Sequence, residues 1–178
     1  MATRETPSAD EGRLIAALEQ SLVLVEKQTL NLPLSRWNLK HSIEAWSVAE
    51  IVHHLILVEV QRLQQLKDLL EGKRESAAAR TDSAPPDFAG VRARMKPVKT
   101  TKDMEPTPEI PPKVLIAGLR RARSETIAFV RASDLQQLEK VWINTVSLGA
   151  LNGVEFIEFL SAHMERHARQ IAETLQQS

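Results

Sequence analysis

The sequence predicts an all-α protein, a four-helix bundle with long crossover connections, and three observations carry that expectation. Four long segments repeat apolar residues at spacings of three and four. No stretch alternates apolar and polar residues well enough to compete as a strand. Seven of the nine prolines fall between residues 73 and 112, where they break regular structure and leave a long connection. Simple up-down-up-down bundles use short loops, so a connection of this length points to a different topology.

The first helix is expected over residues 9–30, with Leu14, Ile15, Leu18, Leu22 and Val25 on one side and Pro33 just beyond its end. The second opens at Ser47, which with Glu50 makes the S-x-x-E pattern of a capping box. Val48, Ile51, Val52, Leu55, Val58 and Leu66 form its apolar side, and the pattern fades near Gly72. Residues 73–112 follow as a proline-rich connection, which at this length is either functional or disordered. A third helix starts after Pro111 and Pro112, since proline suits a first turn. Its stripe is Leu115, Leu119, Ala122, Thr126, Phe129 and Val130, with Arg120, Arg121 and Arg123 assigned to an exposed face. Residues 133–151 are expected to hold one short helical turn before a bend at Leu148-Gly149. The last helix begins near Asn152, with Glu155 at the capping distance. On it Phe156, Leu160, His163, His167 and Ile171 recur at core-facing positions.

Composition removes several classes of function. At 178 residues the chain fits one domain spanning 1–178 with room for a sizeable core. Lys plus Arg and Asp plus Glu are both 23, so no global field recruits nucleic acid or an anionic membrane. Four Phe, three Trp and no Tyr offer little for stacking on bases. No cysteine is present, which excludes disulfides, thiolate–metal sites and a cysteine nucleophile. The opening residues are polar and lack an apolar signal core. The apolar run at 51–60 is interrupted by His53, His54 and Glu59 and is too short to span a bilayer. No membrane association is expected, and the cytoplasm is the expected compartment.

The histidines carry the chemistry. His163 and His167 lie four residues apart on one helix, a rise of about 6 Å along one face. Such a pair can present two imidazole nitrogens to one first-row divalent ion, at about 2 Å each. A third imidazole from another helix would complete a site with open positions. Hydrogen-bonded core histidines are the competing reading of the same pattern. The pair is not the H-E-x-x-H of zinc peptidases, because Met164 stands where the glutamate base belongs and Glu165 points about 100° further round. His53 and His54 also project about 100° apart, so only one can face a given ion. His54, four residues after Glu50, is the candidate ligand; His53 is a surface or edge residue, and His41 lies in an inter-helix loop.

The run Trp46-Ser47-Val48-Ala49-Glu50-Ile51-Val52-His53-His54-Leu55 resembles the W-S-x-x-E-x-x-x-H-L signature of the DinB-like superfamily. The segment from His163 to Ile171 resembles its second signature, H-x-x-x-H-x-x-Q-I, and Leu148-Gly149 its usual approach to the last helix. The resemblance implies a DinB/YfiT-like four-helix bundle of unusual crossover topology, commonly a homodimer. It implies a divalent metal, zinc or nickel, on His54, His163 and His167.

Three functions remain open on this reading. A metal-dependent thiol S-transferase would use a small-molecule thiol and an electrophile, as relatives acting with bacillithiol or mycothiol do. A metal-dependent hydrolase would activate water, though no general base is identified. A non-catalytic, stress-associated bundle would use the metal as a cross-link. Glu50 either completes the helix cap or orients His54, and Gln170 is equally open. Trp46 reads as a hydrophobic plug. Arg92, Arg94, Lys96, Lys99 and Lys102 form a basic run, either solvated loop or a rim that attracts an anionic cosubstrate.

Overall fold

A computed structural model of the chain describes residues 8–81, 84–93 and 100–176. Helix α1 (Ala9–Thr29) is capped by Ser8, whose hydroxyl accepts from the Glu11 amide. A short turn, α2 (Leu34–Trp37), leads to α3 (Val48–Leu70). There Ser47 and Glu50 form a reciprocal capping box, and Gly72 beyond the far end takes a φ of 68° that few other residues tolerate. Then come α4 (Phe88–Arg92), a 3-10 turn (Lys102–Met104), α5 (Pro112–Ala132) and α6 (Leu135–Leu138). The chain closes with strands β1 (Trp142–Thr145) and β2 (Gly149–Asn152) and helix α7 (Gly153–Gln176).

The four long helices have the extents the apolar periodicity predicts. Their arrangement is less obvious. α1 packs on α7 and α5, and α3 packs on α5 and α7, so the pairs α1/α3 and α5/α7 lie across the bundle's diagonals. Consecutive long helices are thus neighbours only at the α3–α5 step, the step bridged by the proline-rich connection. Leu14, Leu18, Leu66, Phe156 and Leu160 fill one end of the core, and Ile51, Leu55, Leu119, Met164 and Ile171 the other.

Two expectations are corrected. The 133–151 segment does hold a helical turn, α6, but an antiparallel hairpin follows it, with Ile143 opposite Leu151. Those two side chains are buried while their neighbours are not, the period-two pattern of a half-buried ribbon. Gly149, at φ 69°, makes the turn back. Arg123 is not on an exposed face: it is fully buried and pairs with Glu59 of α3, Nη2 to Oε2 at 3.2 Å.

The proline-rich connection is shaped by the helices beneath it. The Gln61 amide donates to the Asp103 carbonyl at 2.7 Å, and the Thr107 amide donates to His53 Nδ1 at 2.8 Å. These bonds strap residues 102–107 along α3. Arg92 of the basic run hydrogen-bonds Glu165 of α7 through Nε at 3.1 Å, whereas Arg94, Lys96 and Lys99 lie outside the described residues. No helix is long and apolar enough to cross a membrane among the described residues.

Candidate metal centre

His54 lies in the second turn of α3, and His163 and His167 lie midway along α7. The capping box starts α3 at Val48, which sets the phase that turns His54 inward and leaves His53 at the edge. An Asn152–Glu155 box starts α7: the Asn152 side chain accepts from the Glu155 amide at 2.9 Å, and Glu155 accepts from the Asn152 amide at 3.0 Å. The structure brings the three predicted histidines together, with ring nitrogens within 4.8 Å of one another. His53 is tied to Thr107 instead, and His41 is exposed in the loop before α3.

Two of the three rings are oriented from outside. His54 Nδ1 donates to the Met104 carbonyl at 2.9 Å, which leaves its Nε2 lone pair free to face inward. His167 Nδ1 donates to Gln170 Oε1 at 2.8 Å, which puts its lone pair on Nε2. His167 Nε2 then stands 3.2 Å from His163 Nε2. Two nitrogens on a common tetrahedral ion at about 2.0–2.1 Å stand about 3.3–3.4 Å apart, so this separation suits a shared cation. A shared proton also spans it, so the case for a cation rests on the third ring, whose nitrogen lies within 4.8 Å of the other two. Three imidazoles suit a first-row transition-metal ion as a donor set, zinc, nickel, copper and iron alike.

Electrostatics favour the neutral form of two of the rings, His54 and His163. Burial lowers the pKa of His54, the Met104 hydrogen bond opposes that shift, and the Arg166 charge adds to it. His163 is held well below its ordinary value, first by burial and then by His167, His54, Arg166 and Arg62. A neutral imidazole is the form that binds metal.

The rings open on a cavity of about 130 Å³. Trp46, Val58 and Phe159 give it apolar walls, the hairpin turn supplies Val146 and Ser147, and Arg62 and Arg166 bring positive charge. The indole of Trp46 lies 4.7 Å from the His54 ring between centroids and stacks on His167 at 6.5 Å. Trp46 is therefore a wall of the site as well as a plug at the helix start. Glu50 belongs to the cap and to an ion pair with Lys40 at 2.8 Å; it does not hold His54. Its pKa is pushed up by burial but lowered on balance by its bonds to Lys40 and Ser47. Gln170 had a sequence signal, lying one turn beyond a ligand; the Met104 carbonyl had none. A wider groove of about 760 Å³ between α1, α2 and α5 contains no histidine.

A bundle of four helices crossed in this order, with an inward-facing histidine triad, defines a class of helical protein with a candidate metal centre. The DinB superfamily profile matches residues 17–171, and the chain belongs to that superfamily. No curated protein matches it by sequence. Among solved structures it is similar to YfiT from Bacillus subtilis, described as a probable metal-dependent hydrolase with an unusual four-helix bundle topology. The two share 18% identity at a TM-score of 0.65, over 99% of this chain and 92% of that one.

Proposed function

We propose that His54, His163 and His167 hold a divalent cation, zinc or nickel, and that the protein is a metal-dependent thiol S-transferase acting on a low-molecular-weight thiol. The observation that supports this best is the convergence of three imidazoles, two of them fixed from outside by Met104 and Gln170. Bound there, such a cation supplies Lewis acidity that acidifies a thiol or a water. The protein supplies the surroundings. Trp46, Val58 and Phe159 give the rings apolar walls. No carboxylate lines the cavity among the described residues, so no side chain is placed to take a proton from water. A thiol, with a free pKa of about 8.5, would give its proton to solvent more readily than water if a cation were bound there, and so would depend less on such a base. With no cysteine in the chain, the thiol comes from outside.

The description of YfiT favours a second reading, hydrolysis at the same site. Metal analysis of purified wild type beside His54→Ala tests the site itself. One equivalent in the first and loss in the second is expected, and equal metal in both overturns the assignment. Zinc-loaded protein is then offered bacillithiol or mycothiol with a chlorodinitrobenzene, and separately a series of activated esters and amides. Conjugation that disappears in His163→Ala supports the transferase; ester or amide cleavage without conjugation supports the hydrolase.

A further inference from the structure

Two guanidinium groups line the histidine cavity, Arg62 from α3 and Arg166 from α7. Arg62 follows His54 by two turns of helix, so it looks the same way along α3. Arg166 directly precedes His167. Arg62 is half-buried, and its hydrogen bonds go to uncharged groups: Nη1 donates to Gln65 Oε1 at 2.9 Å and Nη2 to Met104 Sδ at 3.8 Å. No carboxylate lies within ion-pairing distance of it among the described residues, and Asp103, the acid whose field reaches it, is exposed to solvent. Around the cavity, then, positive charge gathers with no acid among the described lining residues.

A half-buried guanidinium without an anionic partner is costly, and a bound anion relieves that cost. The planar fork of arginine suits the two oxygens of a carboxylate or a phosphate. We propose that Arg62 and Arg166 form an oxyanion subsite beside the histidine cluster, and that the substrate is a small molecule carrying a carboxylate or a phosphate. This rests on reading the cavity as the reaction site. The subsite places the anionic end of the ligand toward the arginines and its reacting end toward the imidazoles. At about 130 Å³ the cavity takes the volume of about four water molecules, enough for an acid group and a short carbon arm.

Calorimetry tests the subsite with 3-mercaptopropionate and its uncharged amide, titrated into zinc-loaded and chelator-stripped protein. Wild type should bind the acid about tenfold more tightly than the amide in both forms, the scale of one charge-assisted hydrogen bond. Arg62→Gln and Arg166→Gln should erase most of that preference while zinc content and helical circular dichroism stay at wild-type levels. Arg62→Lys should keep part of it. Competition by inorganic phosphate would extend the ligand class to phosphorylated molecules; no competition would confine it to carboxylates. Equal affinity of wild type for acid and amide overturns the proposal, as does a preference that survives in the double Gln variant. If wild type takes up no zinc but the stripped protein still prefers the acid, the metal assignment fails and the oxyanion subsite stands.

Discussion

Gln170 decides which nitrogen of His167 faces the cavity. Its Oε1 accepts the Nδ1 proton, so the lone pair must sit on Nε2. Removing such an outer partner typically lowers metal affinity about 10- to 100-fold. Gln170→Ala is therefore expected to weaken zinc binding by that factor in a competition with a chromogenic chelator, and to leave the melting temperature of stripped protein nearly unchanged. Protonation works against the same rings. His54 and His163 have folded pKa values below 6.5, so the unfolded chain binds more protons at mildly acidic pH. Stability of the stripped protein should be fully present above about pH 6.5 and fall as pH drops below it; denaturant midpoints across pH 5–8 check this, and a flat profile would contradict it. That His54 faces inward and His53 lies at the edge was readable in the sequence because helical phase is local. The role of Gln170 was only half readable: one-turn spacing allows the contact, but which rotamer makes it depends on packing. Arg123 was misjudged although it stands four residues after Leu119 and three before Thr126, in phase with the buried stripe. The usual exposure of arginine outweighed that phase.

The long helices were legible because their signals are carried by neighbours in sequence. Ser47 caps the helix that carries His54, and Ser47→Ala should cost about 1 kcal/mol, read as a lower urea midpoint. The hairpin was not legible. Its strands are four residues each, and much of their support comes from far away: the Ala77 amide donates to the Trp142 carbonyl at 2.9 Å, and the Trp142 amide to Ser76 Oγ at 2.7 Å. The strap at 102–107 escaped notice for the same reason, being held by His53, His54 and Gln61 some fifty residues earlier. The hairpin reaches α7 through a tight joint. A Cβ added at Gly153 would stand 2.7 Å from the Leu138 carbonyl oxygen, and the Gly153 amide donates to the Val141 carbonyl at 3.0 Å. Since backbone occupies the space, no side chain can swing aside. Gly153→Ala should therefore cost about 1–3 kcal/mol by forcing α6 and the start of α7 apart. Denaturant unfolding measures the loss, and a wild-type midpoint would show that the joint gives.

At the scale of the whole bundle, one buried ion pair ties three helices together at the level of the candidate site. Glu59 of α3 meets Arg123 of α5, and Arg123 Nη2 also touches Met164 Sδ of α7 at 3.2 Å, next to His163. The pair is poorly served. Glu59 Oε1 and Arg123 Nε and Nη1 are buried without a hydrogen-bond partner. Burial pushes the Glu59 carboxyl up and the Arg123 guanidinium down, while their mutual attraction opposes both shifts. Such a pair adds little net stability, yet losing one member strands a charge in the core at a cost of about 3–5 kcal/mol. What it does supply is register, because only one axial setting of α3 against α5 lets the two groups meet. That setting also places His54 opposite the α7 histidines. Arg123→Met alone should thus unfold at markedly lower denaturant, whereas Glu59→Leu with Arg123→Met should recover wild-type stability or exceed it. If register is the role of the pair, the stable double variant should bind zinc more weakly than wild type despite an intact histidine triad. Wild-type zinc affinity in that variant would show that apolar packing alone aligns the helices.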